Sequence, residues 1–139
     1  MKIKTYLGFD VGTKRTGVAI ANSLTLKANG LDVVSHHKNG ATNWGGFDAI
    51  IKQHNIDLFI VGLPYDQNGK EQEMTFIAKS FGRKLSARYN IDLAFVDEYL
   101  SSIEAKKQLK YNHYHQHANR GEVDKLSAAL ILQTWLGDS

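Results

Sequence analysis

Three acidic positions stand apart from the ordinary surface charge of this chain. Asp10 lies inside an otherwise apolar stretch, Asp97-Glu98 follows another apolar run, and Asp124 lies in the first turn of a segment with helical periodicity. If the fold brings Asp10, the Asp97-Glu98 pair and Asp124 together, they form an all-oxygen site suited to Mg²⁺ or Mn²⁺. Two such ions could activate a water and stabilise both oxygens of a phosphodiester displacement.

Each acid also has a structural interpretation that the residues alone leave open. Asp124 could merely stabilise a helix N-terminus. Asp97 and Glu98 could form a polar strand end. A purely structural hydrogen bond is the corresponding interpretation for Asp10. It is the weakest of these alternatives, because a carboxylate buried in a sheet is costly unless a cation or strong donors compensate it.

The segment around Asp10 is predicted to be a β-hairpin with little side-chain bulk. Strands are expected over residues 5–11 and 15–21, joined by the glycine-containing turn Gly12-Thr13-Lys14. Glycines remove side chains around the acid and would let a phosphate or metal approach the backbone. These glycines are Gly8, Gly12 and Gly17.

The rest of the chain predicts alternating helices and strands. The continuous apolar run at 58–61 is typical of a buried parallel strand. The last helix is expected to bury a stripe formed by Val123, Leu126, Leu130 and Ile131. Three antiparallel strands followed by alternating elements favour a mixed α/β sheet with helices on both faces. The further strands are expected over 29–36, 58–61 and 91–96, and the helices over 47–54, 71–89, 101–109 and 122–136.

Composition places broad limits on the function. The 139 residues are expected to form a single domain, residues 1–139. The absence of cysteine excludes disulfides and thiolate metal sites. No apolar run approaches the roughly 18 residues of a membrane span, and the N-terminus lacks a signal-peptide pattern, so a cytoplasmic protein without a membrane partner is expected. The net charge of +3 permits a polyanionic partner without requiring one.

Basic residues near the acids are candidates for phosphate contacts. Lys14 and Arg15 lie at the hairpin turn, a few residues from Asp10, and Arg83 lies on the long helix. For any one of them a solvated surface charge is the simpler interpretation. As a distributed set they suit sequence-independent contacts with a nucleic-acid backbone.

The opening Asp-x-Gly-Thr motif also looks like the phosphate-binding hairpin of the actin, sugar kinase and Hsp70 superfamily. That architecture places a nucleotide between two such domains. This chain has the length of only one, so a kinase is disfavoured.

Four stretches taken together point to a more specific assignment. They are FDVGTKRTGVAIAN near the start, VGLPYDQNG in the middle, FVDEYLSSIEA after the last strand and EVDKLSAALILQTWL at the end. This pattern closely resembles the YqgF/RuvX family of RNase H-like proteins, described as Holliday junction resolvases and as nucleases for the 16S ribosomal RNA precursor. The resemblance covers essentially the whole chain in the same order.

The resemblance implies an RNase H-like three-layer α/β/α fold with a mixed five-stranded sheet and an acidic active site. By motif, Asp10, Glu98 and Asp124 would be the catalytic acids and would hold Mg²⁺ or Mn²⁺, two ions being expected, for phosphodiester hydrolysis. Lys14 and Arg15 match basic positions of the family's hairpin. The implied nucleophile is a metal-bound water.

The implied substrate is structured nucleic acid. Ribosomal RNA precursor is favoured, with processing of the 5′ end of 16S rRNA as the reaction, and four-way DNA junctions are the alternative. Symmetric junction cleavage would call for a homodimer, although the sequence has no dedicated dimer element. A non-catalytic nucleic-acid-binding factor in ribosome assembly is the alternative of a different class.

Two features depart from the family's pattern. Tyr99 occupies a position where members commonly carry an arginine, and a tyrosine cannot replace the charge or the bidentate geometry of a guanidinium. His113, His115 and His117 alternate in a segment that looks specific to this chain. In an extended conformation they could bind a transition metal or a phosphate backbone, whereas an exposed loop is the simpler interpretation.

Overall fold

The computed structural model describes residues 2–98 and 120–137. The predicted helix over 101–109, Tyr99 and the histidine-rich segment lie outside the described residues. The described elements follow the predicted order, with ends shifted by a few residues. They are β1 Thr5–Asp10, β2 Arg15–Asn22, β3 Asn29–Ser35, α1 Trp44–Lys52, β4 Leu58–Leu63, α2 Glu73–Tyr89, β5 Asp92–Asp97 and α3 Arg120–Leu136.

The five strands form one mixed sheet in the order β3-β2-β1-β4-β5. The hairpin strands β1 and β2 pair antiparallel, with Asp10 opposite Gly17, and β3 continues this antiparallel pairing. Strands β4 and β5 add to the other side of β1 in parallel, with Phe9 opposite Val61. The predicted mixed five-stranded sheet is therefore confirmed, and β1 is its central strand.

Alternation along the strands produces two cores, one on each face of the sheet. On the first face α1 and α2 cover an aromatic cluster in which Phe9, Phe47 and Phe81 pack with ring centroids 5.2 to 6.0 Å apart. On the second face α3 packs Ala128 and Leu132 against the sheet. Helices thus lie on both faces, as predicted. Alternate residues of one strand therefore point to different helices.

Helix α3 approaches the sheet at positions where the strands carry glycine. A Cβ atom added to Gly8 would lie 2.7 Å from the Cβ of Leu132. One added to Gly17 would overlap the backbone carbonyl of Asp124. A real Cβ atom fits at neither position, so the backbones can meet this closely only because glycine has no side chain.

The close approach also explains which face of α3 is buried. Its buried side chains are Ser127, Ala128, Ile131 and Leu132. Ser127 and Ala128 are small, and Leu132 fits against the sheet because Gly8 has no side chain where the two meet. Of the predicted buried stripe, Ile131 is confirmed, and Val123 and Leu130 are only half-buried. The predicted burial of Leu126 is wrong, because its side chain is 44% exposed.

His36 connects the end of β3 to β2 and to the start of α1. Its Nε2 lies 2.8 Å from the buried Thr16 hydroxyl, and the Asn43 backbone N–H donates to its Nδ1 over 3.5 Å. Because Nδ1 accepts, Nε2 must carry the proton and donate to Thr16. Burial, followed by the nearby His37, lowers the pKa of His36 below its ordinary value of 6.5. The arrangement therefore requires the neutral ring.

Across residues 2–98 and 120–137, no helix is both long enough and apolar enough to span a bilayer.

Replacing Gly17 with alanine tests the contact between α3 and β2. We expect Gly17→Ala to lower the free energy of unfolding by about 3 kcal/mol or more, because the new methyl group would collide with backbone that cannot move aside. Urea denaturation measures this change. Gly45→Ala is the matched control, since its Cβ would meet only the Asn43 side chain at 3.6 Å and stability should be kept or slightly raised. A Gly17→Ala protein as stable as wild type would contradict this packing.

The lowered pKa of His36 predicts a pH-dependent stability. The unfolded chain takes up a proton near pH 6.5, whereas the folded His36 resists it, so stability is present above that pH and is lost as the pH falls below it. We expect His36→Gln to reduce the difference in free energy of unfolding between pH 7.5 and pH 5.5. His54→Gln, beyond the other end of α1, is the control and should keep the wild-type difference. An unchanged pH dependence in His36→Gln would contradict the lowered pKa of His36 in the folded protein.

Candidate active site

Asp10 ends β1 on the side of the sheet that faces α3. It shares this face with Gly8, which contacts Leu132 of α3. Its side chain is half-buried, and its partner across the hairpin is Gly17. The acid is therefore flanked by backbone without side chains on the β2 side.

Glu98 reaches the same face from the other direction. It follows β5, and its backbone N–H donates to the Leu63 carbonyl over 3.1 Å. Its side chain is 7% exposed and covers Gly62, where an added Cβ would lie 3.0 Å from both Cγ and Cδ of Glu98. Gly62 follows Val61, the partner of Phe9 in β1, so the Glu98 side chain lies beside the end of β1 that carries Asp10.

Asp124 is held at the site by two contacts with β2. Its backbone packs against Gly17, directly across the hairpin from Asp10. Its Oδ2 accepts a hydrogen bond of 2.6 Å from Nε of Arg15, the first residue of β2. Both side chains of this ion pair are partly buried, with 31% of Arg15 and 23% of Asp124 exposed. A charge-assisted hydrogen bond of this kind is stronger than one between neutral groups.

The fold thus brings the three predicted acids to one edge and one face of the sheet. Glu98 and Asp124 lie over the glycines of the strands that flank β1, and Asp10 stands between them. Carboxylate oxygens are the ligands that hard cations prefer, so the donor set fits Mg²⁺ or Mn²⁺. In the arrangement seen here, the described residues contain no group of three or more acids or histidines close enough together to hold a metal ion. Metal binding would therefore require the side chains to draw closer, and the assignment of these three ligands stays a prediction.

The predicted basic residues occupy three different environments. Lys14 is exposed in the hairpin turn, next to the acids in sequence. Arg15 is engaged with Asp124, which the sequence did not reveal. Arg83 is exposed on α2, the helix that packs on the opposite face of the sheet from α3. The structure therefore groups Lys14 and Arg15 with the acids and leaves Arg83 apart from them.

Gly62 lies under Glu98, whereas the sequence motifs placed it only at a strand end and in a loop beside the site. Any side chain there would collide with Glu98 and with Ile131 of α3. The available signal was a glycine inside the apolar run that ends at Leu63. A glycine in a strand interior often marks the close approach of another group.

The chain matches known proteins over nearly its whole length. The family model described as "RuvX: Holliday junction resolvase" matches residues 4–138. A relative from Aeromonas hydrophila named "Putative pre-16S rRNA nuclease" is 38% identical over 136 residues, covering 98% of this chain and 96% of its own length. Proteins of the same name from Coxiella burnetii and Nitrosococcus oceani are also 38% identical, covering 94% and 97% of this chain and 90% and 88% of their own lengths.

Solved structures share the fold. RuvC from T. thermophilus, in complex with a Holliday junction substrate, superposes with a TM-score of 0.57 at 14% identity and covers 98% of each chain. The Fowlpox virus resolvase, also with Holliday junction DNA, gives 0.53 at 13% identity, covering 96% of this chain and 99% of the resolvase. The expected RNase H-like arrangement is thereby confirmed. With a family model and relatives at 38% identity both spanning the chain, this protein belongs to the RuvX family.

Proposed function

We propose that this protein is a metal-dependent nuclease that processes the 5′ end of the 16S ribosomal RNA precursor. The observation that carries the proposal is the placement of Asp10, Glu98 and Asp124 at one edge of the sheet on the α3 face. Relatives at 38% identity bear the name of a pre-16S rRNA nuclease, which supports the choice of substrate. The proposal keeps the single domain and the cytoplasmic location expected from the sequence.

The three acids have distinct proposed roles. Asp10 and Glu98 hold Mg²⁺ or Mn²⁺, and Asp124 completes the site from α3. When bound, two divalent ions would supply an activated water and charge stabilisation for the attacking and leaving oxygens. Glu98 is suited to its role because a carboxylate as buried as this one favours a cation as its partner. Lys14, exposed beside the site, positions the substrate by contact with a backbone phosphate.

Arg15 links the state of the site to metal binding. Its Nε donates a hydrogen bond of 2.6 Å to Oδ2 of Asp124. A cation that bound this oxygen would therefore have to displace the arginine. In the absence of metal the arginine balances the charge of Asp124, and after release its guanidinium is available to a substrate phosphate. Arg83, on the other face of the sheet, remains a candidate only for a phosphate far from the cut.

A four-way DNA junction is the second candidate substrate. The family model describes resolvases of Holliday junctions, and two solved structures that share this fold are bound to such junctions. Paired cleavage of a symmetric junction requires two active sites, so this activity predicts a homodimer. The nuclease chemistry would be the same for either substrate.

Changing Asp10 to asparagine tests the nuclease mechanism. We expect Asp10→Asn to lower cleavage of precursor RNA in Mn²⁺ by at least about 100-fold, because a neutral amide is a poor ligand for a hard cation. A four-way DNA junction is tested in parallel, and EDTA should abolish cleavage by the wild type. Asp92→Asn changes an exposed aspartate at the opposite end of β5 and is the control with full activity.

The outcomes separate the three hypotheses. Cleavage of RNA but not of the junction supports the precursor nuclease, and the reverse supports the resolvase. Binding of RNA without metal-dependent cleavage by the wild type would favour a non-catalytic assembly factor. Full activity of a folded Asp10→Asn protein would refute the metal site.

Removing Arg15 tests its competition with the metal. We expect Arg15→Ala to tighten Mn²⁺ binding by about threefold in calorimetry, because a partly exposed ion pair contributes at most about 1 kcal/mol. Lys14→Ala removes the same charge from the neighbouring position without breaking the pair and should change the affinity less. Equal effects of the two variants would mean that Arg15 acts only through its positive charge and not through the ion pair. Weaker Mn²⁺ binding by Arg15→Ala would show that Arg15 supports the metal site.

A further inference from the structure

A cavity of about 570 Å³ lies on the other side of the hairpin from the acids. One wall is a single face of α2, where the lining residues recur at helical spacing. These residues are Glu73, Phe76, Ile77, Ser80, Phe81 and Lys84. The facing wall is formed by residues 11–13 and by the loop that follows β3, including His36 and Thr42. Three separate parts of the chain therefore enclose this space, which has the size of a small-molecule site.

Phe76 is the unusual residue of this wall. Its side chain is 58% exposed, whereas Phe81, five residues further along the helix, is 7% exposed and stacks on Trp44 with nearly parallel rings. Phe81 belongs to the aromatic core, but Phe76 presents an aromatic ring to solvent at the mouth of a cavity. Exposed aromatic rings beside such spaces serve as stacking platforms for flat ligands, and nucleobases of every type have a face that can stack.

The charges along the wall suit a nucleotide rather than a purely apolar ligand. Glu73 lies at one end and Lys84 eleven residues later, which corresponds to roughly 16 Å along a helix. Lys84 can bind a backbone phosphate, and Glu73 can accept a hydrogen bond from the exocyclic amine of a base. Ser80 lies between them and offers a hydroxyl that can donate or accept.

The position of the cavity connects it to the candidate active site. Its lining residues Val11, Gly12 and Thr13 follow Asp10 directly in the chain. Asp10 faces α3 and the cavity faces α2, so the two lie on opposite sides of the end of β1. A nucleic-acid strand that crosses this edge of the sheet would meet the acids on one side and the cavity on the other.

We propose that this cavity binds an unstacked nucleobase from a single-stranded part of the substrate, with Phe76 as the stacking platform and Lys84 at a neighbouring phosphate. The inference rests on the proposed function in that the substrate is nucleic acid. It extends that function by specifying that the substrate carries an unpaired nucleotide close to the bond that is cut.

The experiment measures binding without cleavage. Short single-stranded RNA and DNA oligonucleotides containing 2-aminopurine are titrated with the full-length protein in EDTA, and fluorescence quenching reports stacking of the base. We expect Phe76→Ala to weaken binding about tenfold, the loss typical of one base–aromatic stack, and Phe76→Trp to retain the affinity. Leu24→Ala is the matched control, because it truncates another exposed apolar side chain, 64% exposed in the segment between β2 and β3.

Abasic oligonucleotides show whether the base itself is bound. Removing the quenched base should weaken binding by the wild type to the level of Phe76→Ala, and combining both changes should cause no further loss. Wild-type affinity in Phe76→Ala, equally tight binding of the abasic oligonucleotide, or no measurable binding of single strands would each overturn the proposal. A preference for RNA over DNA, or the reverse, would identify the source of the base.

The two proposals fail in different ways. Base binding that depends on Phe76, with no metal-dependent cleavage of any substrate, would leave the cavity as a nucleobase site and refute the nuclease. Metal-dependent cleavage that is lost in Asp10→Asn, with binding that is indifferent to Phe76, would keep the nuclease and refute the nucleobase site.

Discussion

The contact between helix α3 and the sheet is the constraint on which the candidate site depends. Gly8 and Gly17 let the helix backbone approach the strands, and Gly62 leaves room for a side chain between the sheet and the helix. The contact at Gly17 places Asp124 across the hairpin from Asp10, and the space above Gly62 is filled by Glu98. Larger side chains at these positions would push the helix outward and separate the acids. The glycines that let α3 pack on the sheet are therefore also the residues that allow the three acids to lie near one another.

Strand β1 divides the functional edge of the molecule into two environments. On the α3 side, the partly buried acids lie beside the ion pair of Arg15 and Asp124, with which the proposed divalent cation would compete. On the α2 side, the proposed nucleobase cavity combines an exposed ring with one charge at each end. Because the residues that follow Asp10 line that cavity, the hairpin turn is shared by both. If both proposals hold, a substrate strand bound on one side would be positioned for the other.

Most of the secondary structure was predictable, because the hydrophobic patterns are strong in β1, β2, β4 and α2. The prediction went wrong at Leu126, which helical periodicity assigns to the core and the structure leaves 44% exposed. Periodicity identifies an apolar stripe but not how closely the helix approaches its neighbour. The glycines near Asp10 illustrate the same limit. They were interpreted as space for a phosphate or metal, whereas at Gly8 and Gly17 that space is filled by α3 itself.

The sequence by itself determined the family and the element order and singled out the three candidate acids, since these reside in contiguous motifs whose residue types can be read directly. Tertiary structure alone decided which groups meet. Arg15 and Asp124 are 109 positions apart in the chain, and the cavity beside Phe76 is assembled from three separate segments. Such contacts arise from the docking of helices on a sheet, which depends on the volumes of side chains in all layers at once. No local pattern in the sequence records that outcome.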